Sequence, residues 1–270
     1  MSNTAKSPIL LFDSGVGGLT VLRELRALLP QAPVIYAADL AGLPYGTKSE
    51  AQIAARVAGL LGRMSERYKP RLICIACNTA STIALGMVRE VLEVPIVGTV
   101  PAIKPAAAVT KTGVIGLLGT EATIRQSYVD DLEAQFASDK RLLRVAAPGL
   151  VEAAEAKLRG DPFDPAVVDG AVQRLRDMPG GENIDTVVLA CTHFPLLAPE
   201  LSQALSQALG SEVDLVDGAK GIARRIVAIT EAQEFDPTVP NRFVSTGNIT
   251  LSQQLEAVLS EHGLTTSDTF

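Results

Sequence analysis

The sequence predicts an α/β fold in which two similar halves each contain a parallel sheet. Short apolar runs alternate with segments of helical periodicity, a pattern typical of parallel sheets covered by helices. At about 150 residues per domain, the 270 residues fit one large or two small domains. An apolar strand followed by a cysteine and small polar residues occurs twice, at residues 72–79 and 187–193. This repeat favours two related halves.

The first half alternates regularly between the two kinds of element. Strands are expected at residues 9–12, 34–37, 72–76 and 94–97. Helices are expected at residues 19–29, about 50–68 and about 80–92. The polar, Gly- and Pro-containing residues 39–48 predict a loop, and Pro101 and Pro105 bracket a connection.

The second half shows the same alternation of strands and helices. Strands are expected at residues 113–118, 142–146, 185–190 and 213–216, and near Phe243. Helices are expected at residues 122–136, 151–158, after Pro165, and at 199–209, 219–230 and 252–260.

Composition and charge exclude two classes of protein. The chain has 24 basic and 30 acidic residues, a net charge of −6, and no tryptophan. We expect no nucleic-acid partner, because such binders need positive charge and stacking rings. The longest uncharged stretch, residues 72–88, contains four polar side chains. It is too polar for a spanning helix, which needs about 20 mostly apolar residues, so we expect no membrane insertion.

The cysteines indicate a reducing compartment. Cys74, Cys77 and Cys191 are too few for a disulfide framework, and residues 8–12 are too short for a signal-peptide core. We therefore expect a cytoplasmic protein with reduced thiols. Cys74 lies inside an apolar run and is expected in the core, on the opposite face of its strand from Cys77.

Three polar positions fall at the carboxyl ends of predicted strands, where parallel sheets bind ligands. They are Asp13, Cys77 and Cys191. A cysteine at a helix N-terminus is favoured as a thiolate, and two equivalent thiols facing each other could move a proton on either side of one small ligand. His193 could support such acid/base chemistry or be an ordinary packed histidine. A zinc site formed by these cysteines and His193 is disfavoured because no close-spaced ligand pair accompanies it.

The Gly-rich turn at residues 13–18 allows two interpretations. Its amides could cradle an anion at the start of the following helix, or it could be a plain tight turn. Asp13 at its start could orient a neighbouring thiol. Glu152, by sequence alone, is an ordinary acid near a helix start.

Five segments together resemble the glutamate racemases, a family of cofactor-independent aspartate/glutamate racemases. They are FDSGVGGLTVL at residues 12–22, PYGTK at 44–48, ACNTAS at 76–81, CTHFPL at 191–196 and VDGAKGIAR at 216–224. The segments occur in the family's order across nearly the whole chain.

The resemblance implies two α/β domains related by a pseudo-two-fold, with the ligand between them and with neither cofactor nor metal. The first domain would comprise residues 1–99 and 211–270, and the second residues 100–210. Glutamate would be the substrate, and its D-isomer would supply peptidoglycan synthesis. A homodimer is also compatible with the resemblance.

The resemblance also implies residue roles. Cys77 would deprotonate the D-isomer and Cys191 the L-isomer. Asp13 would accompany the first cysteine, and Glu152 and His193 the second. The implied substrate contacts are Asp13, Ser14, Tyr45, Gly46, Asn78, Thr79, Thr123, Thr192 and His193.

Two further segments bear on the resemblance: one departs from the family pattern, and the other resembles a subgroup of the family. Leu40 and Gly42 stand where the family usually has Thr and Arg, in the pattern Asp-Thr-Ala-Arg that begins at Asp39. Residues 100–106 (VPAIKPA) resemble a subgroup that is activated by the peptidoglycan precursor UDP-N-acetylmuramoyl-L-alanine.

Three alternatives remain at this stage. The chain could be a racemase for aspartate or a related acid. It could be a non-catalytic protein that binds an anion or a partner through the Gly-rich turn. A pyridoxal-phosphate enzyme would need a cleft lysine, whereas Lys48 and Lys220 are expected on a loop and a helix surface.

Overall fold

Two parallel sheets organise the chain in a computed structural model, which describes residues 4–247 and 251–270. Residues 1–3 and 248–250, which the predicted first domain includes, lie outside the described residues. The strands are β1 (Ile9–Asp13), β2 (Val34–Ala38), β3 (Leu72–Ile75), β4 (Ile96–Gly98), β5 (Val114–Gly119), β6 (Arg141–Ala146), β7 (Thr186–Ala190), β8 (Asp214–Val216), β9 (Arg242–Ser245) and β10 (Thr266–Thr269). The helices are α1 (Leu19–Leu28), α2 (Glu50–Tyr68), α3 (Asn78–Val91), α4 (Ile103–Val109), α5 (Glu121–Ile124), α6 (Ser127–Phe136), α7 (Gly149–Arg159), α8 (Ala166–Arg176), α9 (Ala198–Leu209), α10 (Ala219–Thr230) and α11 (Gln253–Glu261).

The two sheets share one topology. The first has the order β10-β9-β2-β1-β3-β4 and the second the order β6-β5-β7-β8, with parallel pairing throughout. The run β2-β1-β3-β4 therefore corresponds to β6-β5-β7-β8, and β3 corresponds to β7. This correspondence confirms the predicted α/β fold and places Cys77 and Cys191 after equivalent strands.

Helices cover both faces of the first sheet, so its strands are apolar on both sides. In β1, Ile9 and Leu11 join the cluster that α1 and α10 cover, whereas Leu10 and Phe12 join the cluster under α2 and α3. The same alternation separates Cys74 from Cys77, which pack in these two different clusters. The predicted core position of Cys74, on the opposite face from Cys77, is confirmed.

The predicted return to the first domain at residue 211 is wrong. β8 pairs with β7 and completes the second sheet. α10, the next element, packs against α1 in the first domain. The chain therefore returns after Val216, because residues 214–216 form the strand that closes the second sheet.

Two predicted elements differ in detail from the structure, and one strand of the structure was not predicted. The helix expected at 122–136 is divided into α5 and α6 by an extended backbone at Gln126. The expected connection around Pro105 forms α4, which packs on α6 and β7. Edge strand β10 has the polar sequence TSDT, which carries no apolar signal, and it forms only by pairing with β9. Across residues 4–247 and 251–270, no helix combines the length and the apolar character that a bilayer crossing requires.

Candidate active site

One cavity of about 170 Å³ lies where the strand ends of the two sheets meet. Its lining includes Ser14 after β1, Cys77 after β3, Thr120 after β5 and Cys191 after β7. The volume is below the roughly 300–1,000 Å³ of pockets for drug-sized ligands, so the cavity fits a small metabolite.

The cavity brings most predicted site residues together. Those that line it are Ser14, Tyr45, Gly46, Cys77, Asn78, Thr79, Glu152, Cys191, Thr192 and His193. Asp13 and Thr123, both fully buried, lie behind the lining. The sequence missed Leu43, Pro44, Thr47, Thr120, Glu121, Pro148 and Val151, which line it as well.

Cys77 is the N-cap of α3. Its Sγ accepts a hydrogen bond from the Ala80 amide (3.4 Å) and shares another with the Ser14 hydroxyl (3.5 Å). Burial and the nearby charge of Asp13 raise the pKa of Cys77 to about 12, although these two hydrogen bonds oppose the shift. The group is therefore a thiol at neutral pH, and the helix N-terminus stabilises the thiolate that forms when it gives up its proton.

Cys191 has a charged neighbour. Its Sγ lies 3.8 Å from Nδ1 of His193, whose Nε2 lies 2.8 Å from Oε1 of Glu155. Burial alone would lower the pKa of His193, but the hydrogen bonds to Cys191 and Glu155 outweigh it, and the pKa lies well above its ordinary value. The imidazole is thus held as a cation next to one cavity thiol.

The acid that contacts His193 is Glu155, which the sequence did not indicate as a site residue. Glu152 and Glu155 both belong to α7, but Glu152 is exposed at the cavity mouth, whereas Glu155 is buried and also accepts the Val16 amide (3.1 Å). Burial opposes ionisation of Glu155, but its contacts with His193 outweigh it and lower its pKa. Glu152 lines the cavity together with Cys191, and its expected role beside this cysteine stays a prediction, whereas the packing of α7 turns Glu155 toward His193.

The Gly-rich turn binds two carboxylates of the protein itself. Besides the contact between Val16 and Glu155, the Gly18 amide donates to Oδ2 of Asp13 at 2.9 Å. Burial raises the pKa of Asp13, while the charge of His193 and the Gly18 amide act against that rise. Asp13 also accepts the Thr192 hydroxyl (3.4 Å) and so links the ends of β1 and β7.

The glycines of this turn allow His193 to approach. A Cβ at Gly17 would lie 2.7 Å from Nδ1 of His193 and 2.8 Å from its backbone nitrogen. A Cβ at Gly15 would lie 2.5 Å from Oε1 of Glu155. Such contacts are too short for any side chain, so the turn requires glycine for close packing against the histidine.

Three threonines join the two domains beside the cavity. The hydroxyls of Thr79, Thr120 and Thr123 form a closed set, with oxygen–oxygen distances of 2.9 to 3.2 Å. Thr79 lies in the first turn of α3 in the first domain, whereas Thr120 caps α5 in the second. Thr123, also in α5, completes the set from behind the lining.

Among the described residues, the cavity lining contains no lysine that could form a Schiff base and no cluster that could hold a metal ion. Lys48 donates from Nζ to the Pro44 carbonyl (3.4 Å), Lys220 is exposed on α10, and neither lines the cavity. In the part of the chain that the structure describes, no three His, Cys, Asp or Glu side chains form a group that could hold a metal ion.

Comparisons with known proteins agree with this architecture. The model of the Asp/Glu/Hydantoin racemase family matches residues 19–226. Glutamate racemase of Sphingopyxis alaskensis is 59% identical over 264 residues, which are 97% of each chain. Glutamate racemase of Pectobacterium carotovorum is 47% identical over 225 residues, 83% of this chain and 77% of that one. Among solved structures, Escherichia coli glutamate racemase in complex with L-glutamate and the activator UDP-MurNAc-ala is 41% identical, with a TM-score of 0.88 over 98% of both chains. The chain therefore belongs to the Asp/Glu/hydantoin racemase family and, within it, to the glutamate racemases, which are isomerases.

Proposed function

We propose that the protein interconverts L- and D-glutamate by two-base proton transfer between Cys77 and Cys191. The observation that carries the proposal is that two thiols, from equivalent strand ends of two similar domains, line one small cavity. Glutamate held between them could lose its α-proton to one thiolate, and the planar carbanion that forms could gain a proton from the opposite thiol.

The L-to-D direction starts on the Cys191 side. In this direction Cys191, as the thiolate beside the imidazole of His193, accepts the α-proton of L-glutamate. The C–H electron pair stays on the α-carbon, and the proton moves to sulfur. Glu155 keeps His193 charged and oriented during this step.

Cys77 completes the reaction on the other face. Its raised pKa supplies a protonated thiol at neutral pH, and the S–H proton moves to the opposite side of the α-carbon. The resulting thiolate keeps its hydrogen bonds from Ser14 and Ala80. One turnover therefore leaves Cys191 protonated and Cys77 deprotonated, and exchange with solvent restores the starting state.

Short polar groups around the thiols suit an amino-acid dicarboxylate. Ser14, Asn78, Thr79, Thr120 and Thr192 present hydroxyls and an amide from both domains. Such fixed donors can bind the carboxylates and stabilise the charge that develops when the α-proton leaves.

The test compares three cysteine variants with the wild type by circular dichroism of L- and D-glutamate, without added cofactor. Cys77→Ala and Cys191→Ala are expected to lower kcat/KM by at least about 10³-fold, because each face needs its own proton carrier. Cys74→Ala is the matched control, since it removes a buried thiol on the other face of the sheet and should retain activity. An active Cys77→Ala or Cys191→Ala variant would contradict the proposal.

Isotope incorporation tests the two-base step separately. In D2O, early D-product made from L-glutamate should carry deuterium at the α-carbon, while unreacted L-glutamate stays protonated. The reason is that two groups on opposite faces do not share the abstracted proton within one turnover. Early product that retains α-protium would exclude two bases, and faster turnover of aspartate than of glutamate would favour the aspartate alternative.

We further propose that the D-glutamate serves peptidoglycan synthesis and that UDP-MurNAc-ala activates the enzyme. Support comes from the Escherichia coli relative, whose structure holds L-glutamate and that activator. The segment at residues 100–106, which leads into α4, resembles the activated subgroup. Racemisation should accelerate when the precursor is added. Expression should also restore growth without D-glutamate in a bacterium that lacks its own glutamate racemase.

A further inference from the structure

A buried carboxylate, Asp39, anchors the loop that forms one wall of the cavity. It follows β2 and accepts hydrogen bonds from the Tyr45 hydroxyl (2.6 Å) and from Nη2 (2.6 Å) and Nε of Arg56. The Thr246 hydroxyl, just after β9, is its fourth donor. Burial opposes ionisation of Asp39, but these hydrogen bonds, Arg56 first among them, outweigh it and lower its pKa.

The guanidinium reaches Asp39 from α2 because Gly42 leaves room for it. A Cβ at Gly42 would lie 2.5 Å from Nε of Arg56 and 2.8 Å from the ring of Tyr45. Gly42 is one of the two positions where the loop departs from the usual family pattern, which has arginine there. In this chain the cation that contacts Asp39 comes from α2.

The anchored loop touches the ligand space directly. All five residues 43–47 line the cavity. The backbone of this segment forms only one short 3₁₀ turn, Tyr45–Thr47. The Tyr45 hydroxyl is directed to Asp39, so this side chain works as a tether for the loop. Ahead of this segment, the Ala41 amide donates to the Thr246 hydroxyl (3.2 Å).

We infer that Arg56 is a positioning residue for substrate binding: it fixes Asp39, which holds Tyr45 and with it the cavity wall at residues 43–47. This inference rests on the proposed racemisation of glutamate. Arg56 itself is absent from the cavity lining and acts through Asp39. Its loss leaves a buried carboxylate without its two strongest donors, which loosens the wall but leaves both thiols in place.

The kinetic test compares Arg56→Ala and Arg56→Lys with the control Arg23→Ala. Arg23 is an exposed arginine of α1 that pairs with its neighbour Glu24. Arg56→Ala should raise KM for both enantiomers about tenfold with kcat within about threefold, because the loop binds substrate but carries no proton. Arg56→Lys should recover only part of the affinity, since one ammonium cannot bond both carboxylate oxygens in the guanidinium geometry. Millimolar guanidinium should lower the KM of Arg56→Ala and leave that of Arg23→Ala unchanged.

Hydrogen exchange provides a readout that does not depend on turnover. In Arg56→Ala, a peptide covering residues 39–48 should exchange faster, while the peptide of β5 stays as in the wild type. Arg56→Lys, which keeps a cation at this position, should accelerate the same peptide less and serves if Arg56→Ala does not fold.

The outcomes separate this inference from the proposed function. A wild type that does not racemise glutamate refutes the proposed function, and the exchange of residues 39–48 then shows whether Arg56 fixes the loop. A wild type that racemises glutamate, with unchanged KM and unchanged loop exchange in Arg56→Ala, overturns the inference. A fall in kcat at constant KM also overturns it, because that result would indicate a role in proton transfer.

Discussion

His193 carries its charge in a place where burial alone would remove it. The carboxylate of Glu155 compensates on one side of the ring, and Cys191 lies on the other. A buried pair of this kind is costly to break, because the remaining partner is left charged and unpaired. The contact with Glu155 that orients the imidazole therefore also makes the stability of the folded state depend on the protonation of His193.

Replacing Glu155 tests this coupling. Glu155→Gln is expected to lower the free energy of unfolding by about 3 kcal/mol near pH 5.5. The pKa of His193 is raised in the folded state, so its contribution is complete below about pH 6.5 and is lost as pH rises through the raised pKa. The pKa of Glu155 is lowered, so its contribution is present above about pH 4.3 and is lost as pH falls through the lowered pKa.

Urea unfolding at a series of pH values measures the effect. The difference between wild type and Glu155→Gln should be largest between about pH 4.5 and 6.5 and should shrink at alkaline pH. Glu152→Gln, the exposed acid on the same helix, should give a small difference at every pH. The kcat/KM of Glu155→Gln should fall about 10²-fold, equally in both directions because the equilibrium constant of racemisation is one. Equal pH profiles for the two variants would contradict the role given to Glu155.

At the scale of elements, the turn between β1 and α1 is a contact surface. Its amides bind Asp13 and Glu155, and its glycines bring the backbone against His193. Residues from β1, α7 and the end of β7 are thereby fixed to one another. The turn contributes to the site by packing closely against these residues. This role explains its several glycines, although the turn contains no phosphate-binding motif.

Gly17→Ala tests the packing. Its Cβ would meet both the ring and the backbone of His193, so we expect a loss of about 1–3 kcal/mol in the free energy of unfolding. Displacement of His193 from Cys191 should also lower kcat/KM more than about tenfold.

Gly59→Ala on α2 is the matched control. A Cβ there meets no other atom within 4 Å, and alanine is favoured in a helix interior. It should raise the free energy of unfolding by about 0.5–1 kcal/mol and leave activity unchanged. Chemical denaturation and steady-state kinetics on the same preparations check both variants. A fully active Gly17→Ala would show that His193 does not depend on this contact.

The whole molecule is built so that neither domain contains the site alone. The cavity takes one cysteine from each sheet, and the threonine set joins α3 to α5 across the domain boundary. A ligand in the cavity contacts both domains at once. Binding should therefore stabilise both sheets together.

A double variant, Cys77→Ala with Cys191→Ala, allows binding to be measured without turnover. L-Glutamate at about 100 times its Kd should stabilise this protein by about 2.7 kcal/mol, because it binds only the folded state. Amides at the ends of both β3 and β7 should become more protected from hydrogen exchange. L-Alanine at equal concentration, which lacks the side-chain carboxylate, is the control. Protection confined to one sheet would contradict a site shared by the two domains.

The sequence by itself determined the features that depend on neighbouring residues. Apolar periodicity located nearly all of the strands and helices, and the position of Cys77 and Cys191 directly after two strands indicated one shared edge for both thiols. The alternation of side chains along a strand was enough to separate Cys74 from Cys77. These properties depend on residues that are close in sequence, so they can be predicted from the sequence pattern.

Only the tertiary structure decided which distant groups meet. Glu155 rather than Glu152 contacts His193 because the packing of α7 sets its rotation. β8 closes the second sheet through its pairing with β7, which no local signal marks. Arg56 serves the loop that begins at Asp39, across 17 positions of sequence, because Gly42 leaves the space. Such contacts follow from how whole elements pack, and packing depends on all of their surfaces at once.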